Sequence, residues 1–362
     1  MGDFTFYGSE FSMYSAKLRA YLNNKGLAFR TGRPSALTYR RFIVPRTGVA
    51  YMPVLHTPDD EVLQDTTAII DRLEQDFPAP PLVPSDPQTR LASLLLELYG
   101  DEWLLLPAMR YRWQPEENLP VLRQAFGDLL FPWFPRPVRR WLGTKASARF
   151  AGVLGPVGIT AIGDSDFDSW YAGLLADIDA LLEQQPFLLG ATATLADFAF
   201  AGPFVGHLLH DPAPARQLRE QWPRIVAWMD RVAAPAKPST GSGVGLWPSL
   251  EPLLDRAFSE QLPVLRDVAT HLAQWAEARH PGDRVPRSVG RHRATIAGVR
   301  TERALMTYPV WMLQRACDAW QALSGDERRA FAGRFEADVA GLLGPLPVRL
   351  ERVDNRLRLA SA

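Results

Sequence analysis

Pro53, in the apolar stretch "YMPVL", is the residue that most limits what this chain can fold into. Proline has no amide proton, so it removes a hydrogen bond from a β-ladder and belongs at a strand start, an edge or a special turn. An X-Pro bond can also be cis at modest cost, which exposes the backbone of the preceding residue, here Met52, to a ligand. An ordinary trans proline at a strand start is the alternative that this residue alone leaves open.

The first 77 residues alternate between strand and helix patterns. "DFTFY" predicts a strand, "SAKLRAYLNNKG" a helix that ends at Gly26, and "LAFRT" a second short strand. Residues 35–50 predict an irregular helix, and "YMPVLHTPDDEVL" predicts a hairpin. "TTAIIDRLEQDFP" predicts a helix that Pro78 stops. This order packs helices on both faces of a small mixed sheet, and with a proline entering the third strand it resembles the thioredoxin fold.

Proline-rich and small-residue stretches divide the rest of the chain. Residues 78–87 contain five prolines and predict a linker, after which the apolar spacing is mainly helical. Within the helical part, residues 114–165 are rich in Pro, Trp and Gly and predict an irregular insertion, and residues 233–245 predict a second linker or an exposed loop. We therefore expect a thioredoxin-like α/β domain over residues 1–80, an all-helical domain over residues 88–235, and a mostly helical extension over residues 246–362 that ends in a hairpin.

The composition excludes several classes of function. Lys plus Arg and Asp plus Glu both number 40, so the formal net charge is zero and we expect no nucleic-acid partner. Cys317 is the single cysteine, and the six histidines form no metal-site motif, so we expect no metal. The N-terminus lacks a signal-peptide pattern, and no apolar run approaches the roughly 20 residues that span a bilayer. We therefore expect a cytoplasmic protein with no membrane partner.

The stretch "LQDTTAII" predicts a helix start that could hold an amino-acid head group. The first backbone N–H groups of a helix have no internal partners, and the helix dipole favours an anion there. Thr66 adds a hydroxyl group, and Asp65 adds a carboxylate that can pair with an ammonium group. An ordinary N-cap is the alternative, because Asp and Thr are preferred capping residues in any case.

Together these features resemble the glutathione S-transferase superfamily. The resemblance implies that the backbone of Met52, before Pro53, pairs with the cysteinyl part of glutathione. It also implies that Asp65 and Thr66, in "DTTAI", bind the γ-glutamyl end; the family's motif has Glu or Gln followed by Ser at these positions. "TLADFAFAGP" is similar to the family's helix-capping motif, which assigns Thr194 and Asp197 to folding. The chain resembles the long bacterial members of the family, with glutathione as cosubstrate and no metal.

Three hydroxyl residues in "FTFYGSEFSMYSAKLR" compete for the role of thiol activator. Aligned on Arg19, Ser12 corresponds to the first cysteine of the thioredoxin Cys-x-x-Cys motif, so the resemblance implies that Ser12 holds glutathione as a thiolate. A hydroxyl that donates to sulfur at a helix N-terminus lowers the thiol pKa. Ser15 is interpreted as a helix cap and Tyr7 as a reserve candidate, and the absence of any catalytic hydroxyl stays open. Without a cysteine at position 12, thiol–disulfide exchange is disfavoured, and we expect Cys317 to be buried.

The resemblance places a second substrate site beside the glutathione site. We expect Tyr14, Trp103 and Tyr111 to line it, although aromatic residues at such spacing are more often part of a core. Arg46 could meet a carboxylate or be solvated. The predicted function is activation of glutathione as a thiolate that attacks an apolar electrophile, in a homodimer. The alternative is a non-catalytic glutathione-transferase-like binding or interaction protein.

Overall fold

The computed structural model describes residues 3–235 and 246–361. The described residues form two compact units, and each unit is built from separate stretches of the chain. Residues 3–82, 104–154 and 197–235 form the first unit, and residues 83–103, 155–196 and 246–361 form the second. Most of the predicted second linker, residues 236–245, lies outside the described residues.

The first unit contains a four-stranded mixed sheet. Its strands are β1 (Phe4–Tyr7), β2 (Phe29–Gly32), β3 (Val54–His56) and β4 (Val62–Gln64), in the order β2-β1-β3-β4. β2 runs parallel to β1, β3 runs antiparallel to β1, and β4 runs antiparallel to β3. Phe4 and Phe6 are buried on one face of β1, as expected where successive strand residues face opposite sides. The predicted thioredoxin-like fold is confirmed.

Four helices accompany this sheet, namely α1 (Met13–Lys25), α2 (Ala36–Thr38), α3 (Val44–Thr47) and α4 (Thr66–Asp76). α1 ends at Gly26, whose φ of 70° is the left-handed conformation that glycine adopts most easily. A π-helical turn, Tyr39–Ile43, joins α2 to α3, so the irregular helix expected over residues 35–50 is confirmed. On the inner face of α4, Ile69, Ile70 and Leu73 are buried.

The remaining helices of the first unit are α6 (Leu105–Trp113), α7 (Asn118–Leu130), α8 (Arg136–Ala151), most of α10 (Leu195–Pro203), α11 (Pro212–Gln221) and α12 (Pro223–Ala233). A π-helical turn, Phe204–Leu208, continues α10. In the core of the first unit, the indole N–H of Trp228 donates to fully buried Asp197 (3.0 Å).

The prediction of an irregular insertion over residues 114–165 is wrong for α7 and α8. Gly127 and Gly143 lie at the contact between these helices, where an added Cβ would come within 2.1 Å and 1.9 Å of backbone oxygens of the opposite helix.

The second unit combines helices with two hairpins. Its helices are α5 (Pro87–Glu102), α9 (Asp164–Gln184), α13 (Leu246–Arg256), α14 (Leu262–Ala276), α15 (Tyr308–Ala322), α16 (Gly325–Ala332) and α17 (Val339–Leu343). The hairpins are β5 (Ser288–Ile296) with β6 (Val299–Met306), and β7 (Leu350–Val353) with β8 (Arg356–Leu359). The terminal hairpin was predicted from the sequence, whereas the β5–β6 hairpin was not.

Glu260 collects hydrogen bonds inside the second unit. One of its carboxylate oxygens accepts from the hydroxyl of Tyr99 (3.2 Å) and from the indole N–H groups of Trp103 (3.2 Å) and Trp170 (3.0 Å). Its other oxygen accepts from the guanidinium of Arg256 (3.0 Å). Several buried polar groups of the unit are therefore satisfied by one carboxylate.

Within the described residues, no helix is both long enough and apolar enough to cross a membrane.

Candidate functional site

The strand register of the first unit brings the predicted binding residues to one edge of the sheet. Tyr7 at the end of β1 lies opposite Val54, and Val54 lies opposite Gln64. Three segments that adjoin this row therefore lie at the same edge of the sheet: residues 8–12 after β1, residues 52–53 before β3 and residues 65–66 after β4. Adjacent strands are about 4.8 Å apart, so the row from Tyr7 to Gln64 spans about 10 Å. The N-termini of α1 and α4 both begin at this edge.

Ser12 is the N-cap of α1, and Ser15 is not. The Oγ of Ser12 accepts from the backbone N–H of Ser15 (3.4 Å). The Oγ of Ser15 is fully buried and accepts from the backbone N–H of Ser9 (3.2 Å), so the sequence-based interpretation of Ser15 as the cap is wrong. Ser12 is partly exposed. The capping bond uses a lone pair of its oxygen, which leaves the hydroxyl proton available for donation.

Asp65 caps α4 from a strained backbone conformation. Its Oδ1 accepts from the backbone N–H of Ala68 (3.1 Å), which matches the N-cap alternative. Its φ is 82° and its ψ 121°, a region that residues other than glycine rarely adopt and that costs about 1–3 kcal/mol. Such strain is often found at functional sites. Thr66 follows as the first residue of the helix and is 5% exposed.

The Met52–Pro53 peptide bond is cis, one of the two conformations that the sequence left open. Pro53 is buried and directly precedes β3, while Met52 is partly exposed. Arg46, expected either in solvent or near a carboxylate, pairs with Asp60 in the β3–β4 turn (3.0 Å). The hydrogen bonds from His56 and Arg46 hold the pKa of the Asp60 carboxyl below its usual value.

A buried ion pair fixes the loop in front of Ser12. The Arg112 guanidinium on α6 meets both carboxylate oxygens of Asp211, with Nε–Oδ2 at 2.6 Å and Nη2–Oδ1 at 2.9 Å. The same guanidinium donates to the backbone oxygens of Phe11 (2.6 Å) and Gly206 (2.8 Å). Burial lowers the pKa of Arg112, and the hydrogen bond to Asp211 opposes that shift. The backbone beside Ser12 is therefore held by residues about a hundred positions later, which no local sequence pattern indicated.

Gly206 allows a second element to approach the start of α1. A Cβ at this position would lie 2.7 Å from backbone atoms of Met13 and 2.8 Å from the carbonyl carbon of Ser12. Contacts this short require backbone movement. The turn that carries Gly206 therefore sets the position of the helix N-terminus that Ser12 caps.

An apolar cluster lies against the same loop. The ring of Phe11 is 5.1 Å from the ring of Phe126 on α7. The buried members of this cluster are Met109, Trp113, Leu122 and Phe126, and Leu119 and Leu130 are among the partly buried residues packed against it. The segment that was predicted to be irregular therefore supplies the apolar surroundings of the residue before Ser12.

The three predicted substrate residues have different environments. Tyr14 on α1 and Tyr111 on α6 are partly exposed, and Tyr111 lines a surface groove of about 270 Å³ together with residues of α11. Trp103 is 1% exposed and bonded to Glu260, which agrees with the alternative that it is a core residue. Its side chain has no surface available to a substrate.

Tyr7 is partly exposed, and Cys317 is not. The ring of Tyr7 lies 5.3 Å from that of Phe42 and against Gly32. Cys317 is buried, as expected, and burial raises the pKa of its thiol to about 11. In the part of the chain that the structure describes, no group of three or more His, Cys, Asp or Glu side chains could hold a metal ion.

Two protein-family models match the sequence. Residues 6–81 match the N-terminal domain of glutathione S-transferases, and residues 168–231 match their C-terminal domain. No curated protein matches the sequence significantly.

Solved glutathione S-transferase structures are similar to the chain at low sequence identity. GSTFuA3 from Phanerochaete chrysosporium is 19% identical, with a TM-score of 0.46 over 66% of this chain and 99% of that one. A transferase from Rhodospirillum rubrum is 17% identical, with a TM-score of 0.41 over 71% and 93%. A transferase from Methylobacterium radiotolerans, solved with glutathione sulfonate, is 22% identical, with a TM-score of 0.38 over 67% and 100%.

Proposed function

We propose that this chain, a member of the glutathione S-transferase superfamily, binds glutathione at the sheet edge of its first unit and activates it as a thiolate. The observation that carries the proposal is the row Tyr7, Val54 and Gln64, which aligns the predicted binding segments. The row is about 10 Å long, and an extended three-residue peptide reaches about the same distance. Glutathione, a tripeptide, could therefore reach from Ser12 to Asp65.

Each end of that row supports one part of the ligand. At the α4 end, the first N–H groups of the helix and Thr66 would receive the α-carboxylate, and Asp65 would receive the ammonium group. Between the ends, the backbone of Met52 before Pro53 would pair with the cysteinyl unit. At the α1 end, the hydroxyl of Ser12 would donate to the sulfur.

The α1 end supplies two stabilising effects on a thiolate. The hydroxyl proton of Ser12 gives a hydrogen bond to the anion, and the helix N-terminus adds partial positive charge. The thiol proton leaves to solvent, and the sulfur electron pair then attacks an electrophilic carbon of the second substrate. A leaving group departs with its electron pair, or, in an addition, the substrate takes up a proton.

The apolar cluster around Phe11 supports an apolar electrophile as the second substrate. Tyr14 and Tyr111, both partly exposed and in the same unit as Ser12, remain the proposed aromatic contacts. A homodimer, a cytoplasmic location and the domain limits at residues 1–80, 88–235 and 246–362 stay predictions.

Thiol ionisation in the bound state tests the role of Ser12. Glutathione binding is measured by titration calorimetry, and the thiol pKa of the complex by ultraviolet difference spectra. Ser12→Ala should bind glutathione within a few-fold of the parent affinity but return the thiol pKa towards that of free glutathione. Ser9→Ala is the matched control, because the buried Ser9 hydroxyl has no hydrogen-bond partner among the described residues. Tyr7→Phe tests the reserve candidate and should change neither quantity.

Two variants of Asp65 separate ligand binding from helix capping. Asp65→Asn keeps an acceptor for the Ala68 N–H and tolerates a positive φ, but it removes the negative charge. Because the pairing with the ammonium group is lost, we expect glutathione binding to weaken by about tenfold, which corresponds to about 1.4 kcal/mol. Because the cap is kept, little stability should be lost. Asp65→Ala should lose stability as well.

The outcomes separate the enzyme from the binding protein. An unchanged thiol pKa in Ser12→Ala would rule out its role as activator. Glutathione binding with no lowering of the thiol pKa in the parent protein would favour the non-catalytic alternative. If the folded protein does not bind glutathione at all, the proposed site is wrong.

A further inference from the structure

The helical pair α7–α8 and its connection carry most of the exposed large hydrophobic residues of the described chain. Ten large hydrophobic residues are exposed among the described residues, and six of them lie between positions 121 and 150. They are Val121 (45%), Trp133 (52%), Phe134 (42%), Val138 (38%), Trp141 (57%) and Phe150 (46%). Trp133 and Phe134 lie in the short connection between the two helices, with rings 6.3 Å apart. Such a concentration of exposed hydrophobic side chains indicates an interaction surface.

The same helical pair is strongly basic although the whole chain is neutral. Residues 118–151 contain six Arg or Lys residues and one acidic residue, Asp128, which pairs with Arg139 (3.0 Å). Four exposed basic residues on α8 have no carboxylate within 4 Å among the described residues: Arg136, Arg140, Lys145 and Arg149. We call the exposed residues Trp133, Phe134, Arg136, Val138, Arg140, Trp141, Lys145 and Arg149 the hairpin surface.

Apolar and basic side chains alternate closely on the hairpin surface. Val138, Trp141, Lys145 and Arg149 recur at helical spacing and therefore share one stripe of α8. The Lys145 ammonium lies 3.9 Å from the centre of the Trp141 ring. Arg136, Arg140 and Trp141 also line an open groove of about 580 Å³.

The hairpin surface is separate from the inner face of the same helices. Leu122 and Phe126 are buried in the cluster that contacts Phe11. The close contacts at Gly127 and Gly143 hold α7 and α8 together, so the outer stripe is carried by a packed element. Its exposure is therefore not explained by the proposed glutathione site.

We propose that the hairpin surface attaches the protein peripherally to a bilayer of anionic phospholipid. Trp and Phe side chains are favoured at the boundary between headgroups and acyl chains, and Arg and Lys beside them attract anionic headgroups. A second copy of the chain is disfavoured as occupant, because a symmetric contact would bring two basic surfaces together. Nucleic acid would satisfy the charges but offers no apolar phase for Trp133 and Phe134. This inference revises the expectation of no membrane partner, which rested on spanning segments.

Vesicle binding tests the apolar part of the hairpin surface. The full chain is sedimented with vesicles of phosphatidylcholine alone and with vesicles that contain one-third phosphatidylglycerol. We expect binding to the second kind only, weakened by added salt because surface charges are screened. The double variant Trp133→Ser with Phe134→Ser should bind at least tenfold more weakly. Val353→Ser, at another exposed hydrophobic position, is the matched control and should bind as the parent does.

A second pair of variants tests the charges. Arg140→Gln with Lys145→Gln should weaken binding by about thirtyfold, because each basic residue near an anionic surface contributes about 1 kcal/mol to binding. Arg293→Gln with Arg300→Gln removes the same charge from exposed positions on the β5–β6 hairpin and should change binding less than threefold. Circular dichroism of each variant confirms that the fold is retained.

Three results would overturn the proposal. The first is absence of binding to phosphatidylglycerol vesicles by the folded parent protein. The second is binding to duplex DNA or RNA that the hairpin variants abolish while vesicle binding is absent. The third is a concentration-dependent dimer, seen by sedimentation, that Trp133→Ser with Phe134→Ser disrupts, because the surface would then be covered by a second copy.

Discussion

The chemical behaviour of Cys317 follows from its burial on α15. Its thiol pKa of about 11 leaves only about one thiolate in a thousand at pH 8, and burial also blocks a reagent. We expect a disulfide reagent to label native protein at least roughly a hundredfold more slowly than protein unfolded in guanidinium chloride. Equal labelling rates would contradict the buried position. The labelling rate reports on Cys317 alone because the chain has no other cysteine.

His207 gives the protein a pH-dependent stability. Burial holds its pKa well below the usual value, and the charge of Arg112 acts in the same direction. The unfolded chain takes up a proton near pH 6.5 while the folded protein does not, so stability is full above that pH and falls as the pH is lowered towards the folded pKa. The free energy of unfolding should fall by at most about 1.4 kcal/mol per pH unit for this group.

Denaturant titrations from roughly one pH unit above to roughly one and a half units below the reference pKa of histidine measure this effect. His207→Gln should flatten the slope because it removes the titrating imidazole. The fold should be kept, since the glutamine amide can still donate to the backbone oxygen of Ala108. His280→Gln, at an exposed position, is the control variant. His292 also has a pKa lowered by burial, so part of the slope should persist in the first variant. The same slope in both variants would show that His207 is protonated in the folded state.

At the scale of elements, the contact between α1 and the turn Phe204–Leu208 depends on one missing side chain. Gly206→Ala would place a methyl group 2.7 Å from the backbone of Met13, so the two elements must separate. We expect a loss of about 1–3 kcal/mol in the free energy of unfolding, as for other overpacked sites. The shift of α1 should also reduce the lowering of the glutathione thiol pKa that Ser12 is proposed to produce.

Gly155→Ala is the control for that prediction, because a Cβ at residue 155 would meet no atom within 4 Å. It should have little effect on stability or on thiol ionisation. An unchanged stability in Gly206→Ala would show that α1 is held less closely than the structure indicates.

Elements whose pattern is local were predictable from the sequence, and elements defined by their packing were not. α1 and α4 have apolar residues at helical spacing and recognisable ends, so they were predicted closely. α8 exposes Trp141 and Phe150 and buries Gly143 at its contact with α7, so it lacks the usual apolar stripe. In the β5–β6 hairpin, the alternation of arginine with small residues left too weak a signal for a strand.

The candidate site shows the same division. Pro53, Asp65 and Ser12 could be found from the sequence because each acts through its own strand entry or helix start. The Arg112–Asp211 pair could not be found, because it stabilises the loop at Phe11 across a separation of 101 residues. Ser12 and Ser15 could not be distinguished as caps without the loop geometry that turns Ser15 towards Ser9.

On the scale of the whole molecule, the C-terminal residues complete a unit that begins before residue 103. α15 packs along α5, and Arg315 forms an ion pair with Glu97, whose side chain is fully buried. α13 packs against α9. The core beneath both hairpins is formed by residues from position 268 onwards, including Leu272, Leu305 and Leu350. The second unit is thus assembled from early and late parts of the chain.

This interleaving predicts that residues 246–362 cannot be removed. A chain that ends at residue 235 would expose the side of α5 that faces α15 and would leave buried Glu97 without Arg315. We expect it to be insoluble, or to bind a hydrophobic fluorescent dye and to unfold without a cooperative transition. A chain shortened only by its last two residues should behave as the full protein does. Cooperative unfolding of the chain 1–235 would instead show that the C-terminal part is a separate extension, as the sequence had predicted.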